Sequence, residues 1–334
     1  MTLNVALAMP AHTAQALFPE RSLDTLEPEL NLLSLEPIQD FYAPEGKALL
    51  AEADILITGW GCPMIDDAVL DVAPRLRYVL HAAGSVKHHV ADACWERGVQ
   101  VSSAADANAI PVAEYTVAMI VLANKRVLQI ARALHTARAE VLPEQLFPDM
   151  GNYRKRVGII GASKIGRHVI RLLAPYELDV VVADPYLDAA KAAALGVELV
   201  TLDELVASSD VVSLHAPSLP STKNLIDAGR IDRLRPGATF INTSRGDLVD
   251  QDALLARVER GDLYAVLDVT SPWVLPPDSG FYTHPNVLLT PHIAGSLGNE
   301  LERMAASTIQ EALRLSRGYP LEFRVRAEDL GITA

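Results

Sequence analysis

The chain has 334 residues, 50% of them hydrophobic and 21% charged, with 42 acidic against 29 basic side chains and a net charge of −13. That length exceeds what one hydrophobic core usually fills, so two domains are expected, and the balance of apolar and charged residues excludes a disordered chain. The negative field repels phosphate backbones and anionic lipid, which argues against nucleic-acid and membrane partners and leaves an anionic ligand dependent on a local cationic or N–H site.

In chain order, Leu3–Met9 reads as a strand, with no basic residues ahead of it to suggest a signal peptide. Strands at Ile55–Thr58, Tyr78–Ala82 and Val99–Ser102 follow, separated by the amphipathic stretches Met64–Val72 and Lys87–Arg97. From Asn108 to Ala139 one extended helix is expected, ended by the proline-containing Leu142–Pro148. Its most apolar part, Ile110–Ala123, is interrupted by Glu114 and is too short to span a bilayer. A more apolar set of strands comes next: Val157–Ile160, Val180–Ala183, Val211–Leu214, Thr239–Asn242, Val266–Val269 and Val287–Thr290. Helical patterning lies between them at Lys164–Leu173, Asp203–Ala207 and Gln251–Arg260, and a last long helix is expected over Asn299–Arg317. Short apolar strands alternating with helices predict a doubly wound α/β architecture. The two long helices bracket the second set and mark crossings between domains, so the C-terminal tail completes the N-terminal domain. Cys62 and Cys94 have no C-x-x-C spacing and suit the reducing cytoplasm as ordinary thiols.

The segment Gly158-Ile159-Ile160-Gly161-Ala162-Ser163-Lys164-Ile165-Gly166 carries an apolar strand into a glycine turn and a helix start. Its pattern is G-x-S-x-x-G, with Ser163 where the dinucleotide fingerprint has its middle glycine. A helix N-terminus supplies N–H groups and a partial positive charge to a pyrophosphate. The next strand ends in Asp184, placed to accept hydrogen bonds from an adenosine ribose and to repel the 2′-phosphate of NADP. NAD is therefore the expected cofactor. A tight turn that binds nothing is the plain alternative, and a methyltransferase could use the same sheet.

Downstream stand Leu214-His215-Ala216-Pro217, Thr222, Ile241-Asn242-Thr243-Ser244-Arg245-Gly246-Asp247, Leu267-Asp268-Val269 and Thr290-Pro291-His292-Ile293-Ala294-Gly295-Ser296. In order and spacing these motifs resemble the D-2-hydroxyacid dehydrogenases over nearly the whole chain. Asn108 with Val112-Ala113-Glu114 is similar to that family's domain-crossing segment, and Ala83-Gly84-Ser85 to its substrate-carboxylate loop. The resemblance implies two Rossmann-like and flavodoxin-like parallel-sheet domains with a cleft between them. Residues 1–107 plus 297–334 would form the substrate domain and 108–296 the NAD domain, in a homodimer. It further implies that Arg245 clamps the substrate's carboxylate and carbonyl oxygens and that His292 exchanges a proton with the C2 oxygen. Gly84 and Ser85 would hold the carboxylate. Ser163, Lys164 and Ile165 would meet the pyrophosphate and Asp184 the ribose, while Ala216, Thr222, Thr243, Ser244, Asp268, His292 and Gly295 line the rest of the cofactor site. The residue types suit that chemistry, because a guanidinium binds two oxygens as a planar fork and an imidazole moves a proton near neutral pH.

One position departs from the family. Its histidine is normally paired with a glutamate five positions after the aspartate of the Leu-Asp-Val run, and here that position is Trp273. Three outcomes are compatible: an active enzyme impaired as a reductase near pH 7, rescue by another acid such as Asp278 or Glu300, or an NAD(H)-binding sensor or interaction protein with little activity. A formate dehydrogenase-like pairing of the histidine with an amide finds no matching glutamine. His88-His89 lacks the companions of a metal site and is expected as a solvated helical pair, so no metal is expected. Trp60, Tyr42 and His81 are candidates for the wall of a substrate pocket.

Overall fold

The computed structural model describes residues 2–19, 22–26 and 29–331. Its strands are β1 (Leu3–Ala8), β2 (Leu30–Leu32), β3 (Ile55–Thr58), β4 (Tyr78–His81), β5 (Gln100–Ser103), β6 (Arg156–Ile160), β7 (Asp179–Ala183), β8 (Glu198–Leu199), β9 (Val211–Leu214), β10 (Thr239–Asn242), β11 (Tyr264–Leu267), β12 (Val287–Leu289) and β13 (Arg324–Val325). The chain divides into two compact units, Met1–Asn108 with Ser296–Ala334, and Ala109–Gly295. The boundaries expected from sequence, 107/108 and 296/297, differ from these by one residue.

The first unit holds a six-stranded sheet in the order β13-β5-β4-β3-β1-β2. Its first five strands run parallel in the flavodoxin-like order 2-1-3-4-5. Strand β3 is buried along its whole length, as expected of a strand covered by helices on both faces. The short antiparallel β13, which the sequence pattern did not reveal, pairs Arg324 with Ser102 and Val325 with Val101. The C-terminal segment thus closes an edge of the sheet begun at the N-terminus. The two chain crossings of this unit meet where the Ser296 N–H donates to Asn108 Oδ1 at 2.9 Å.

The second unit holds a seven-stranded parallel sheet ordered β12-β11-β10-β9-β6-β7-β8. The order reverses between β6 and β9, which is the dinucleotide-binding arrangement, with a crevice outside the carboxyl ends of the strands at that switch point. Val157, Ile159, Val182, Val211 and Ile241 form one apolar face with Ala113, Val117 and Ile120 of the helix Ala105–Asn124. That helix, at 20 residues, is long and apolar enough to cross a membrane, but its apolar side packs on the sheet.

The single helix expected over 108–139 is two helices, Ala105–Asn124 and Val127–Ala137. Arg126 breaks them with a left-handed φ of 53°. Its guanidinium donates to the Gly237 carbonyl and, at 3.3 Å, to Thr239 Oγ1, and lies 4.2 Å from the Tyr264 ring centroid. These contacts offset the backbone strain of the break. The stretch Lys87–Arg97 is helical only over Asp92–Glu96, and His88 and His89 sit in the preceding turn.

Candidate functional site

The residues singled out in the second unit gather at the carboxyl ends of its strands. After β6, Gly161 adopts φ +92°, and a Cβ there would stand 2.9 Å from the Ala216 N and 3.0 Å from the His215 carbonyl oxygen. Only glycine fits both the dihedral and that approach. The turn leads into the helix Lys164–Leu173, whose N-cap is Ser163, its Oγ accepting from the Gly166 N–H at 3.3 Å. The serine at the middle motif position therefore caps the helix. Asp184, at the end of β7, accepts from the Ala162 N–H at 2.7 Å and the Tyr186 N–H at 2.7 Å. The carboxylate thus borders the glycine turn, and it is only half-buried. A cradle that a Cβ would fill, a helix N-terminus and an adjacent acid fit a nicotinamide dinucleotide.

After β9, Ala216 is buried, and Thr222 Oγ1 donates to the Pro217 carbonyl at 2.7 Å and accepts from the Leu219 N–H at 2.9 Å, folding the loop on itself. After β10, Ser244 Oγ donates to the Leu214 carbonyl at 2.8 Å, and Thr243 Oγ1 meets Thr116 Oγ1 at 3.2 Å. Their hydroxyls are engaged within the protein. Arg245 follows with its side chain exposed, one guanidinium nitrogen donating to the Ser244 carbonyl at 2.7 Å.

Gly246 is buried, and a Cβ on it would overlap the Thr270 and Ser271 backbone. This close approach brings the segment 270–273 against the arginine loop. Gln251 holds the same segment, accepting from the Ser271 N–H at 3.2 Å and donating to the Ser271 carbonyl, and Thr270 Oγ1 donates to the Trp273 carbonyl at 3.0 Å. Trp273 is delivered onto His292, with ring centroids 4.8 Å apart and planes 35° apart, while the indole remains 64% exposed.

His292 adopts a left-handed φ of 57°. For a residue with a Cβ this conformation costs about 1–2 kcal/mol. Its N–H donates to the Asp268 carbonyl at 2.9 Å and the Thr290 carbonyl at 3.0 Å. The buried Asp268 carboxylate accepts from Thr290 Oγ1 at 2.6 Å, the Ile293 N–H at 2.8 Å and the Ala294 N–H at 2.9 Å. Hydrogen bonds to a charged acceptor contribute about 1.5–3 kcal/mol each, enough to hold the strained turn. Burial lowers the His292 pKa below its ordinary 6.5, the Arg245 guanidinium lowers it further, and Asp268 opposes both. The Gly246 approach and the Trp273 stack thus bring the Arg245 loop and His292 to one end of the sheet.

The imidazole Nδ1 is buried and has no hydrogen-bond partner among the described residues. Of the acids suggested as substitute partners, Asp278 is exposed in the second unit, and Glu300, in the first, accepts from the Leu297 N–H at 3.0 Å at the start of its own helical turn. The sequence reading missed Gln251, Thr290 and Tyr115, whose hydroxyl meets Thr290 Oγ1 at 3.0 Å. Thr290 stands inside the Thr-Pro-His motif, but only its bond to Asp268 shows its use, and Gln251 and Tyr115 carry no sequence signal.

In the first unit, Gly84 and Ser85 lie in the bend after β4, and neither N–H donates to a backbone carbonyl of the described residues. His81 is a core histidine rather than a pocket wall: it is buried, its Nδ1 meets Thr58 Oγ1 at 2.8 Å, and burial, reinforced by His89, lowers its pKa to about 3. Trp60 and Tyr42 are exposed. Of the expected solvated histidine pair, only His88 is exposed. The His89 Nδ1 meets the Cys62 carbonyl at 2.6 Å and its ring lies 4.9 Å from His81. Among the described residues no group of three or more His, Cys, Asp or Glu could hold a metal.

The profile of the D-isomer specific 2-hydroxyacid dehydrogenase NAD binding domain matches residues 117–294. The chain belongs to the D-isomer specific 2-hydroxyacid dehydrogenase family, and its second unit is that family's NAD-binding domain. It is 34% identical over 279 residues to the D-3-phosphoglycerate dehydrogenase of Mycobacterium leprae, a match covering 82% of this chain and 51% of that protein. The chain thus spans about half the length of the curated relative it matches. Among solved structures, the TT0316 protein of Thermus thermophilus is 27% identical with a TM-score of 0.75, covering 97% of this chain and all of that one. A phosphoglycerate oxidoreductase from Rhizobium etli shares the fold with a TM-score of 0.83 at 23% identity, covering 99% of this chain and 100% of its own.

Proposed function

We propose that the chain is an NAD-dependent dehydrogenase that interconverts a small 2-keto acid and the matching D-2-hydroxy acid, with Arg245 and His292 as its catalytic pair. The observation that carries this reading is that the Arg245 loop and His292 are joined through the 270–273 segment, at the strand ends that also bear the glycine turn and Asp184. When bound, the reduced nicotinamide supplies a hydride to the C2 carbon. Arg245 grips the substrate's carboxylate and C2 oxygen and stabilises the negative charge that builds there. His292 gives the C2 oxygen its proton in reduction and takes it back in oxidation. The first unit is the substrate domain in this reading, the N–H groups at Gly84 and Ser85 in the bend after β4 being suited to a carboxylate.

An imidazole held below its ordinary pKa is mostly neutral at pH 7. It is ready to accept a proton in oxidation and short of one in reduction. Reductase kcat/KM is therefore expected to climb as pH falls through a value below 6.5. Trp273→Glu supplies an anion beside the ring, raises its pKa and moves that climb to higher pH. The test is a turnover screen of 2-keto acids with NADH across pH, run on both proteins. A second reading, an NAD(H)-binding sensor, is favoured by the missing carboxylate at His292. If both proteins bind NADH and neither turns over any 2-keto acid, the dehydrogenase reading fails and the sensor stands.

The reading extends to a homodimer in the cytoplasm, without nucleic-acid or membrane partners. The helix Val127–Ala137 has no buried residue, and Val127, Leu128 and Leu134 are 39–49% exposed. A helix of 11 residues is marginal without a packed face, and a second copy of the chain would cover it. Leu128→Asp is expected to shift the parent's dimer mass to the monomer in sedimentation equilibrium. A monomeric parent would refute this part of the reading. The thiols Cys62 and Cys94 are buried and unpaired, in keeping with a reducing compartment.

A further inference from the structure

We propose that Tyr115, Thr290 and Asp268 form a positioning relay for His292, fixing from the backbone side the ring position that a ring-bound carboxylate would otherwise fix. The inference rests on the dehydrogenase reading for its kinetic consequence, though not for its structural one. The ring stacks on Trp273, and its Nδ1 finds no partner among the described residues. Its location is set through the main chain, by the left-handed turn that Asp268 holds with three hydrogen bonds.

The direction of the relay follows from proton counting. Thr290 has one hydroxyl proton, and it donates that proton to Asp268 Oδ1 at 2.6 Å. At its 3.0 Å contact with Tyr115, Thr290 must therefore accept, and the phenol donates. Burial raises the Tyr115 pKa, the Thr290 contact opposes that rise and the Asp268 charge adds to it; the net shift is upward, so the donor keeps its proton throughout the working range. Tyr115 stands on the helix Ala105–Asn124, whose Ala113, Val117 and Ile120 are locked into the sheet core. The chain phenol, threonine, aspartate, loop N–H groups thus ties the His292 turn to a rigid support. Tyr115 and Thr290 touch no reacting atom in this scheme and act through His292.

The experiment compares Thr290→Val, Thr290→Ser and Tyr115→Phe with the parent. Positional errors near 1 Å cost catalysis heavily, so Thr290→Val is expected to lower kcat about 10- to 100-fold with KM and NADH affinity within about twofold. Tyr115→Phe, which breaks one link, lowers kcat about 3- to 10-fold, and Thr290→Ser restores it to within about threefold of the parent. The second readout is independent of turnover: the His292 ring carbon-bound protons in NMR should give one sharp set in the parent and Thr290→Ser, and a displaced or broadened set in Thr290→Val and Tyr115→Phe. Ring signals and kcat unchanged in Thr290→Val would overturn the relay. Displaced signals in a protein whose parent turns over no 2-keto acid would leave the relay standing and remove the dehydrogenase. If Thr290→Val does not fold, Tyr115→Phe carries both measurements.

Discussion

His292→Asn is expected to lower kcat/KM for 2-keto acid reduction by about 10²–10⁴-fold, the range general acid–base help contributes, with NADH affinity within about twofold. Asparagine is the appropriate replacement because position 292 is left-handed, and asparagine tolerates that backbone where a β-branched residue does not. Arg245→Lys should lose about 10²–10³-fold, since an ammonium keeps the charge and loses the planar two-oxygen fork. Both losses should fall mainly on turnover, because neither side chain supports the glycine turn. Steady-state kinetics with a parallel NADH fluorescence titration checks them. Loss of NADH binding in step with turnover would remove these residues from the catalytic role.

Gly246→Ala is expected to cost about 1–3 kcal/mol of stability, typical of overpacking, and about 10²-fold in kcat. The new methyl would meet the backbone of Thr270 and Ser271, and backbone cannot rotate aside as a side chain does. The segment must shift, carrying Trp273 off the imidazole and loosening the grip of Gln251. Gly229→Ala is the control, since its nearest neighbour would be Asp227 Oδ1 at an ordinary 3.4 Å. Thermal unfolding and Trp fluorescence distinguish the two. An unchanged melting temperature in Gly246→Ala would mean that the 270–273 segment yields without cost and plays no part in seating the ring.

The second sheet was legible in the sequence because its strands are continuous apolar runs, the mark of burial on both faces. β6, β7, β9 and β10 fall within one residue of the expected spans. The edges were harder. β2, β8 and β13 are two or three residues long and are defined by their partners rather than by any pattern of their own. The break at Arg126 was hidden for a similar reason: the guanidinium is drawn off the helix by Tyr264, the Gly237 carbonyl and the Thr239 hydroxyl, all more than a hundred residues away.

At the site, the turn at Gly161 and the acid at Asp184 could be read from spacing alone, because local chain geometry dictates both. Trp273 could be read as a departure, but its stacking on His292 could not, since that depends on a glycine 27 positions earlier letting two loops touch. The exposure of Asp278 and the bond from the Leu297 N–H to Glu300 were equally hidden, since both depend on how their own loops fold.

The single hydrogen bond between Asn108 and Ser296 has a consequence for how such a chain could arise and be taken apart. The 187 residues from Ala109 to Gly295 leave within the first turns of the helix Ala105–Asn124 and return beside it, so to the flavodoxin-like body they are a guest. Excising them and joining 108 to 296 through a short Gly-Ser bridge would demand almost no movement of the host, whose sheet already includes strands from both sides of the cut. What remains after such an excision holds all six strands of the first sheet.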